Sequence, residues 1–363
     1  MASTFPCAGC GAQVEYAPGT TTLRCPYCGV MQDLPDTGRA VTEHSYAAWT
    51  AEPVKDKALT AAHVFECQNC KARTESDDVS RRCPFCGSPL VRDVAGEALI
   101  APEAIVAFNV DKTAAQQSVA QWIRSRRFAP GALRKVATTE ALAGTYLPFW
   151  TFDAPTETDY DGQRGEHYWE TQTYTVVVDG RSQTRTRQVQ RTRWYPASGT
   201  VSREFDDVLV IGTDQVERKR LAKLEPWALT QVTPYQPGYL AGHQTLRYDV
   251  EPDTALTEAR AIMERVVADD CREDIGGDVQ QVHRMDVRYG EIMFKLLLMP
   301  VWIAAYLYSG QTYQVMVNAN TGEVVGERPY SVWKITVAVL LGLIVLAAVV
   351  VGIYFGTRDP APR

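Results

Sequence analysis

The chain has 363 residues, 45% hydrophobic and 22% charged, enough for two or three packed units and unlike a disordered or fibrous polymer. Its formal net charge of −6 excludes a general attraction to nucleic acid or anionic lipid, so any such contact must come from a local patch. Nine cysteines need an explanation, and the compartment decides between metal and disulfides.

The N-terminus, MASTFPCAGC, lacks a basic region and an apolar core, so it does not read as a signal peptide, and a reducing cytosol is expected. Cys7 and Cys10 pair with Cys25 and Cys28 across fourteen residues, and Cys67 and Cys70 pair with Cys83 and Cys86 across twelve. Two thiolates two residues apart in a tight turn can reach one ion, and a second such turn completes a tetrahedron. Gly11, Gly29 and Gly87 follow three of the four pairs and suit the left-handed turn that aims N–H groups at sulfur. CPYC and CPFC also look like redox pairs, but that chemistry needs a strand–helix setting not seen here. Two structural Zn2+ ions in closed sites are therefore expected. His44 and His63 lie nearby, but each quartet is complete without them.

The expected domains are a zinc ribbon at 1–31, a linker at 32–62 with a short helix near Glu43–Trp49, and a second ribbon at 63–92. Up to Leu90, eight basic residues face ten acidic ones, so the ribbons offer no broad phosphate grip. One small basic face can form from Lys71, Arg73, Arg81 and Arg82.

From 93 to 330 the order aromatic-x-Val-acid, helix, Pro-x-Trp occurs twice, at Phe108–Asp111 and Tyr146–Asp153, then at Tyr248–Glu251 and Leu298–Tyr306. A duplicated α+β domain is expected. Asp111 is placed to cap the first helix, Asp253 or Thr254 the second, with Gly276-Gly277 as its stop. Strands are expected at Val282–Tyr289, Ile292–Met299, Val301–Tyr308 and Thr312–Val317. An insertion at Tyr160–Pro196 reads as a β-hairpin, Thr171–Val178 and Ser182–Trp194, turning at Asp179-Gly180. On its return strand Arg181, Arg185, Arg187, Arg191 and Arg193 all fall on one face at period two. That ladder can discourage edge pairing, or contact an anionic partner: lipid phosphate, an acidic protein or nucleic acid.

Ile335–Phe355 is an uncharged run long enough to cross a bilayer, flanked by Trp333, Lys334, Tyr354 and Phe355, with a short tail, 357–363. It is expected to be a single-pass anchor in the plasma membrane, spanning 331–356, with the N-terminal bulk in the cytoplasm. No nucleotide-binding, metalloprotease or serine-hydrolase motif occurs, His167, His243 and His283 have no local partner, and Cys271 reads as a packing residue. The chain is expected not to be an enzyme.

The stretch Tyr313–Val324 resembles the closing hairpin of PepSY-like domains, which are binding or inhibitory modules. CPFCG, LPFWTFD, YLAG, MPVW and GERP together resemble a family of bacterial membrane proteins with N-terminal zinc ribbons, often labelled transcription-factor-IIB-type zinc fingers or likened to the primosomal helicase. That resemblance implies an α+β body behind the ribbons and, in some relatives, docking in phage-shock-type membrane-stress systems. The reading is a non-enzymatic adapter with protein partners; the alternative is a membrane-tethered nucleic-acid-binding protein.

Overall fold

The computed structural model describes residues 5–35, 38–52, 57–58, 63–76, 82–88, 90–93, 99–125, 142–178, 181–327 and 332–356. The Asp179-Gly180 turn, Arg81 of the small basic face and the 357–363 tail lie outside these residues.

The first ribbon is a three-stranded antiparallel sheet, β1 (Glu15–Tyr16), β2 (Thr22–Arg24) and β3 (Met31–Asp33), ending two residues beyond the expected boundary. The next segment is more than a linker. Its β4 (His44–Ser45) pairs with a central strand, and helix α1 (Tyr46–Ala51), capped by Ser45, lays Tyr46 and Trp49 against Phe294. A further two-residue strand, β5 (Lys57–Ala58), pairs with β9 (Leu99–Ile100).

The second ribbon comprises β6 (His63–Cys67), β7 (Arg73–Ser76) and β8 (Leu90–Asp93). The sequence reads it as a separate module at 63–92, but its strands extend the central sheet. β7 pairs antiparallel with β14 (Gln244–Leu246), and the buried Arg247 donates to the buried Glu75 across that seam. Pairing satisfies edge N–H and C=O groups that would otherwise need water or a foreign strand.

The central body is built on β10 (Ala104–Val106), β11 (Ala143–Val178), β12 (Arg181–Ile211), β13 (Val232–Pro234), β15 (Val279–Tyr289), β16 (Met293–Tyr308), β17 (Gln311–Asn318) and β18 (Val324–Gly326). β11 and β16 run antiparallel through the middle, crossing where Leu147 faces Met299. The two strands expected around Pro300 are one strand. Burial on both faces of 296–304 outweighs the ladder donor that proline lacks.

Contacts around this crossing recur in pairs. β10 runs parallel to β16 with Ile105 opposite Leu298, and β14 runs parallel to β11 with Thr245 opposite Tyr146. The Trp150 indole donates to the Val250 carbonyl at 2.8 Å, and the Trp302 indole donates to the Val110 carbonyl at 2.8 Å. The N–H groups of Asn109 and Val110 donate to Ala319, and those of Asp249 and Val250 donate to Gly212. Helix α2 (Lys112–Arg124) buries Ala115, Val119 and Ile123. After a short turn α3 (Arg218–Leu221), helix α4 (Pro252–Ile275) buries Ala255, Ala259 and Met263 at the corresponding spacing.

Asp111 caps α2 as expected, its side chain accepting from Ala114 N–H at 2.7 Å. Helix α4 starts earlier than expected, with Glu251 at the N-cap and Pro252 in the first turn. Proline's fixed φ and missing N–H suit that position, so neither Asp253 nor Thr254 is the cap. Gly276, at φ 65°, ends it.

One face of the sheet carries Tyr146, Trp150, Phe152, Leu298 and Trp302 beneath the two helices and the first ribbon. The other carries Leu147, Phe149, Met299 and Val301 beneath the 216–232 segment and the second ribbon, whose Cys67, Cys83 and Phe85 join that core. The last helix, α5 (Val332–Gly356), holds the only described segment long and apolar enough to cross a membrane, Ile335–Ile353, and none of it is buried in the protein.

Candidate metal centres

Each cysteine pair builds the same small turn. Cys7, Cys25, Cys67 and Cys83 each donate an N–H to the carbonyl five residues on, at 2.7–2.9 Å, and accept from the N–H four residues on, at 2.8–3.0 Å. The residue four positions on sits at positive φ: Gly11 75°, Gly29 75°, Gly87 73° and Lys71 63°. Lysine at the fourth position accepts a conformation that glycine adopts without steric cost.

These turns bring the eight sulfurs into two quartets, each with its ligand atoms within 4.8 Å of one another. Cys7–Cys28 and Cys67–Cys86 sulfurs are 3.4 and 3.3 Å apart, and Cys10–Cys25 and Cys70–Cys83 are both 3.5 Å apart. A Zn–S bond of about 2.3 Å sets a tetrahedral edge of about 3.8 Å, close to this spacing. Gly9 N–H donates to the Cys7 sulfur at 3.3 Å, stabilising thiolate character. The Cys28 and Tyr27 N–H groups hold the Cys25 thiol down to about 6, and the Cys83 thiol donating to Cys70 holds Cys70 down to about 5. Both quartets fit structural zinc ions, all four positions filled by sulfur.

His44 stacks edge-on to Phe294 and His63 edge-on to Phe65, so both histidines pack outside the quartets. His243 stacks face to face on Phe108, centroids 4.0 Å apart. Burial raises the Cys271 thiol, which packs with Tyr160, Val267 and Ile275.

A third cluster leaves no signal in the sequence because its members, Glu43, Asp153, Asp207 and Lys295, are far apart along the chain. The buried Lys295 ammonium donates to Glu43 at 2.7 Å and Asp207 at 2.6 Å, with Asp153 at 4.0 Å. Burial would lower Lys295, but Asp207 and Glu43 accept from it and carry it above its ordinary value. Burial, then hydrogen bonding to Glu43, raises the Asp153 carboxyl to about 7. A carboxyl raised on folding stabilises fully below its unfolded value, near 4, and loses that contribution as pH rises through about 7. Asp153→Asn is therefore expected to raise the melting temperature most at about pH 8, less at about pH 5, and to leave it unchanged only below about pH 4. Scanning fluorimetry across that range checks this.

The arginine hairpin is much longer than the sequence indicates. β11 and β12 pair without interruption from Ala154–Phe205 out to Val178–Arg181, with one irregularity between Phe152 and Ala154. β15 flanks the ribbon only from Thr156 to Gly165, so residues 166–178 and 181–193 continue as a bare two-stranded ribbon. All five arginines lie on one face and are exposed. Arg193 stacks over Tyr168 at 5.1 Å and Arg187 over Tyr174 at 5.6 Å, while Arg191 pairs with Glu170 at 3.1 Å.

Residues 3–37 match the family model described as the FORGETTER1 first zinc ribbon domain. Residues 56–95 match a domain of unknown function, DUF7129. The chain is 21% identical over 338 residues to the uncharacterized protein YdjG of Bacillus subtilis (strain 168), covering 92% of each chain. No solved structure matches it.

Proposed function

We propose that this protein is a non-enzymatic adapter that holds zinc-ribbon and α+β binding surfaces at a membrane. The observation that carries this reading is the pairing of two closed tetrathiolate sites with one long apolar helix that none of the described residues covers. Ligand sets filled by sulfur leave no position for a substrate or an activated water. An apolar helix of that length, left bare, is at home in a bilayer. On this reading the helix is a single-pass anchor in the plasma membrane, and the cysteines stay reduced on its cytoplasmic side.

The central body reads as two copies of one α+β unit, which interlock by giving each Trp indole to the other copy's carbonyl. The paired registers and the twin Trp–Val hydrogen bonds support this. The likeness of the β17–β18 hairpin to PepSY-like modules supports a binding role, and the resemblance to zinc-ribbon membrane proteins supports one in membrane stress. A relative matching over 92% of its length supports a shared architecture.

Crosslinking and mass spectrometry on intact membranes tests the adapter role. Reproducible crosslinks from the ribbons or the body to a defined protein are expected. Crosslinks confined to the chain itself would overturn the reading.

A further inference from the structure

The bare ribbon has two open edges of different chemistry. Where β15 stops flanking it, Asp278 N–H donates to the Gly165 carbonyl at 2.9 Å, and the Asp278 carboxylate accepts from His167 N–H at 2.6 Å. Odd-numbered residues of β11 therefore turn their backbone N–H and C=O away from β12. Past His167 no strand among the described residues pairs with that edge, so Trp169, Thr171, Thr173 and Thr175 present both groups outward. From Glu166 to Val177 this strand carries no Lys or Arg and is mostly aromatic or β-branched. The outer edge of β12 is guarded instead. Every antiparallel pairing of its tip with a second β12 sets at least one arginine opposite another, and like charges so placed are destabilising. An isolated two-stranded ribbon is marginal in water, and further strands would make it a stable sheet.

We propose that this chain assembles with a second copy of itself through the open edge of β11, antiparallel and centred on Gln172. The proposal goes beyond the adapter reading and does not depend on it. The strand is complementary to itself in that register. Trp169 lies opposite Thr175 of the second copy and Thr171 opposite its Thr173, so outward-facing backbone groups meet and each pair exchanges two hydrogen bonds. Aromatic–β-branched and Thr–Thr neighbours are stabilising cross-strand pairs. Between them Tyr168 meets Val176, and Gln172 meets its own symmetry mate. Glu170 falls opposite Tyr174 of the second copy, in the row of that copy's Arg185, which has no carboxylate partner among the described residues. Moving the centre two residues toward the base would set Glu170 opposite itself. The pairing runs from Tyr168 to Val176 and ends where Asp278 caps the edge. The chain leaves for α5 at the far end of the sheet, in the row of Gly326, Val315 and Ala304, so the pairing keeps clear of that helix.

The test co-expresses two differently tagged full-length copies and purifies them together in mild detergent. Each tag is expected to recover the other, and Thr173→Pro in both copies should cut that recovery by at least about tenfold. Thr173 faces Thr186 across the ribbon, and both turn their N–H outward, one on each edge. Proline at either position removes no hydrogen bond between β11 and β12, so Thr186→Pro is the matched control and should leave recovery unchanged. A benzophenone side chain in place of Gln172, with the two copies told apart by isotope, should crosslink to residues 168–176 of the other copy. Copies that do not co-purify, no loss with Thr173→Pro, or equal loss with both prolines would overturn the pairing. Crosslinks from position 172 to a different protein would overturn it in favour of a foreign strand.

Discussion

Replacing Cys83 by serine is expected to cost more than about 4 kcal/mol of stability and to loosen the central sheet as well as the ribbon that carries the residue. A structural zinc site contributes its binding energy to folding, and a tetrathiolate that loses one thiolate loses most of that contribution. The damage should spread because Cys67, Cys83 and Phe85 pack in one core with Leu147, Leu297 and Met299. The neighbouring β7 is also hydrogen-bonded to β14. Amide exchange on the full chain in detergent should rise in β14 and in the adjoining part of β11. Cys10→Ser should act more locally. The first ribbon has its own three-stranded sheet and meets the body through side chains and two backbone bonds, Tyr16 N–H to Ala241 and Gly19 N–H to Phe108, at 2.9 and 2.8 Å.

The second large effect is expected at the seam itself. Arg247→Leu should destabilise the protein by about 3–5 kcal/mol, because it leaves the Glu75 carboxylate buried without its cation. Arg247 and Glu75 side chains are only 6% and 3% exposed, so water cannot compensate. The double variant Arg247→Leu, Glu75→Leu should recover most of the loss, since an apolar pair of similar volume removes both desolvation penalties. Urea denaturation of the single and double variants, closed as a cycle, separates this outcome from a general intolerance of substitution.

What could be read from the chain alone follows from how local the signals are. The four Cys-x-x-Cys turns, the Asp111 cap and the Gly276 stop are decided within a few residues, and spacing exposes them. Aromatic-x-Val-acid and Pro-x-Trp are legible because they are short strings, and the structure brings their residues together across the crossing. The same reading could not find the Glu43–Lys295 cluster, whose members are 252 residues apart. Nor could it see that β7 would complete an edge of the central sheet, because edge pairing is satisfied by any strand with free donors and acceptors. The short helix near Glu43–Trp49 is legible and corresponds to α1, but what ties the segment to the body is not: β4 is only two residues long, and Phe294, against which both lie, is far downstream. The length of the ribbon was hidden because β11 alternates without a break from a buried base into an exposed tip, so no local change marks where cover ends.

The account depends most on the two sulfur quartets holding metal in the folded protein. Elemental analysis of full-length protein purified under reducing conditions should give two zinc ions per chain, falling to one on Cys10→Ser or on Cys70→Ser. A folded, monodisperse protein carrying no zinc, or one whose metal content ignores these substitutions, would contradict it.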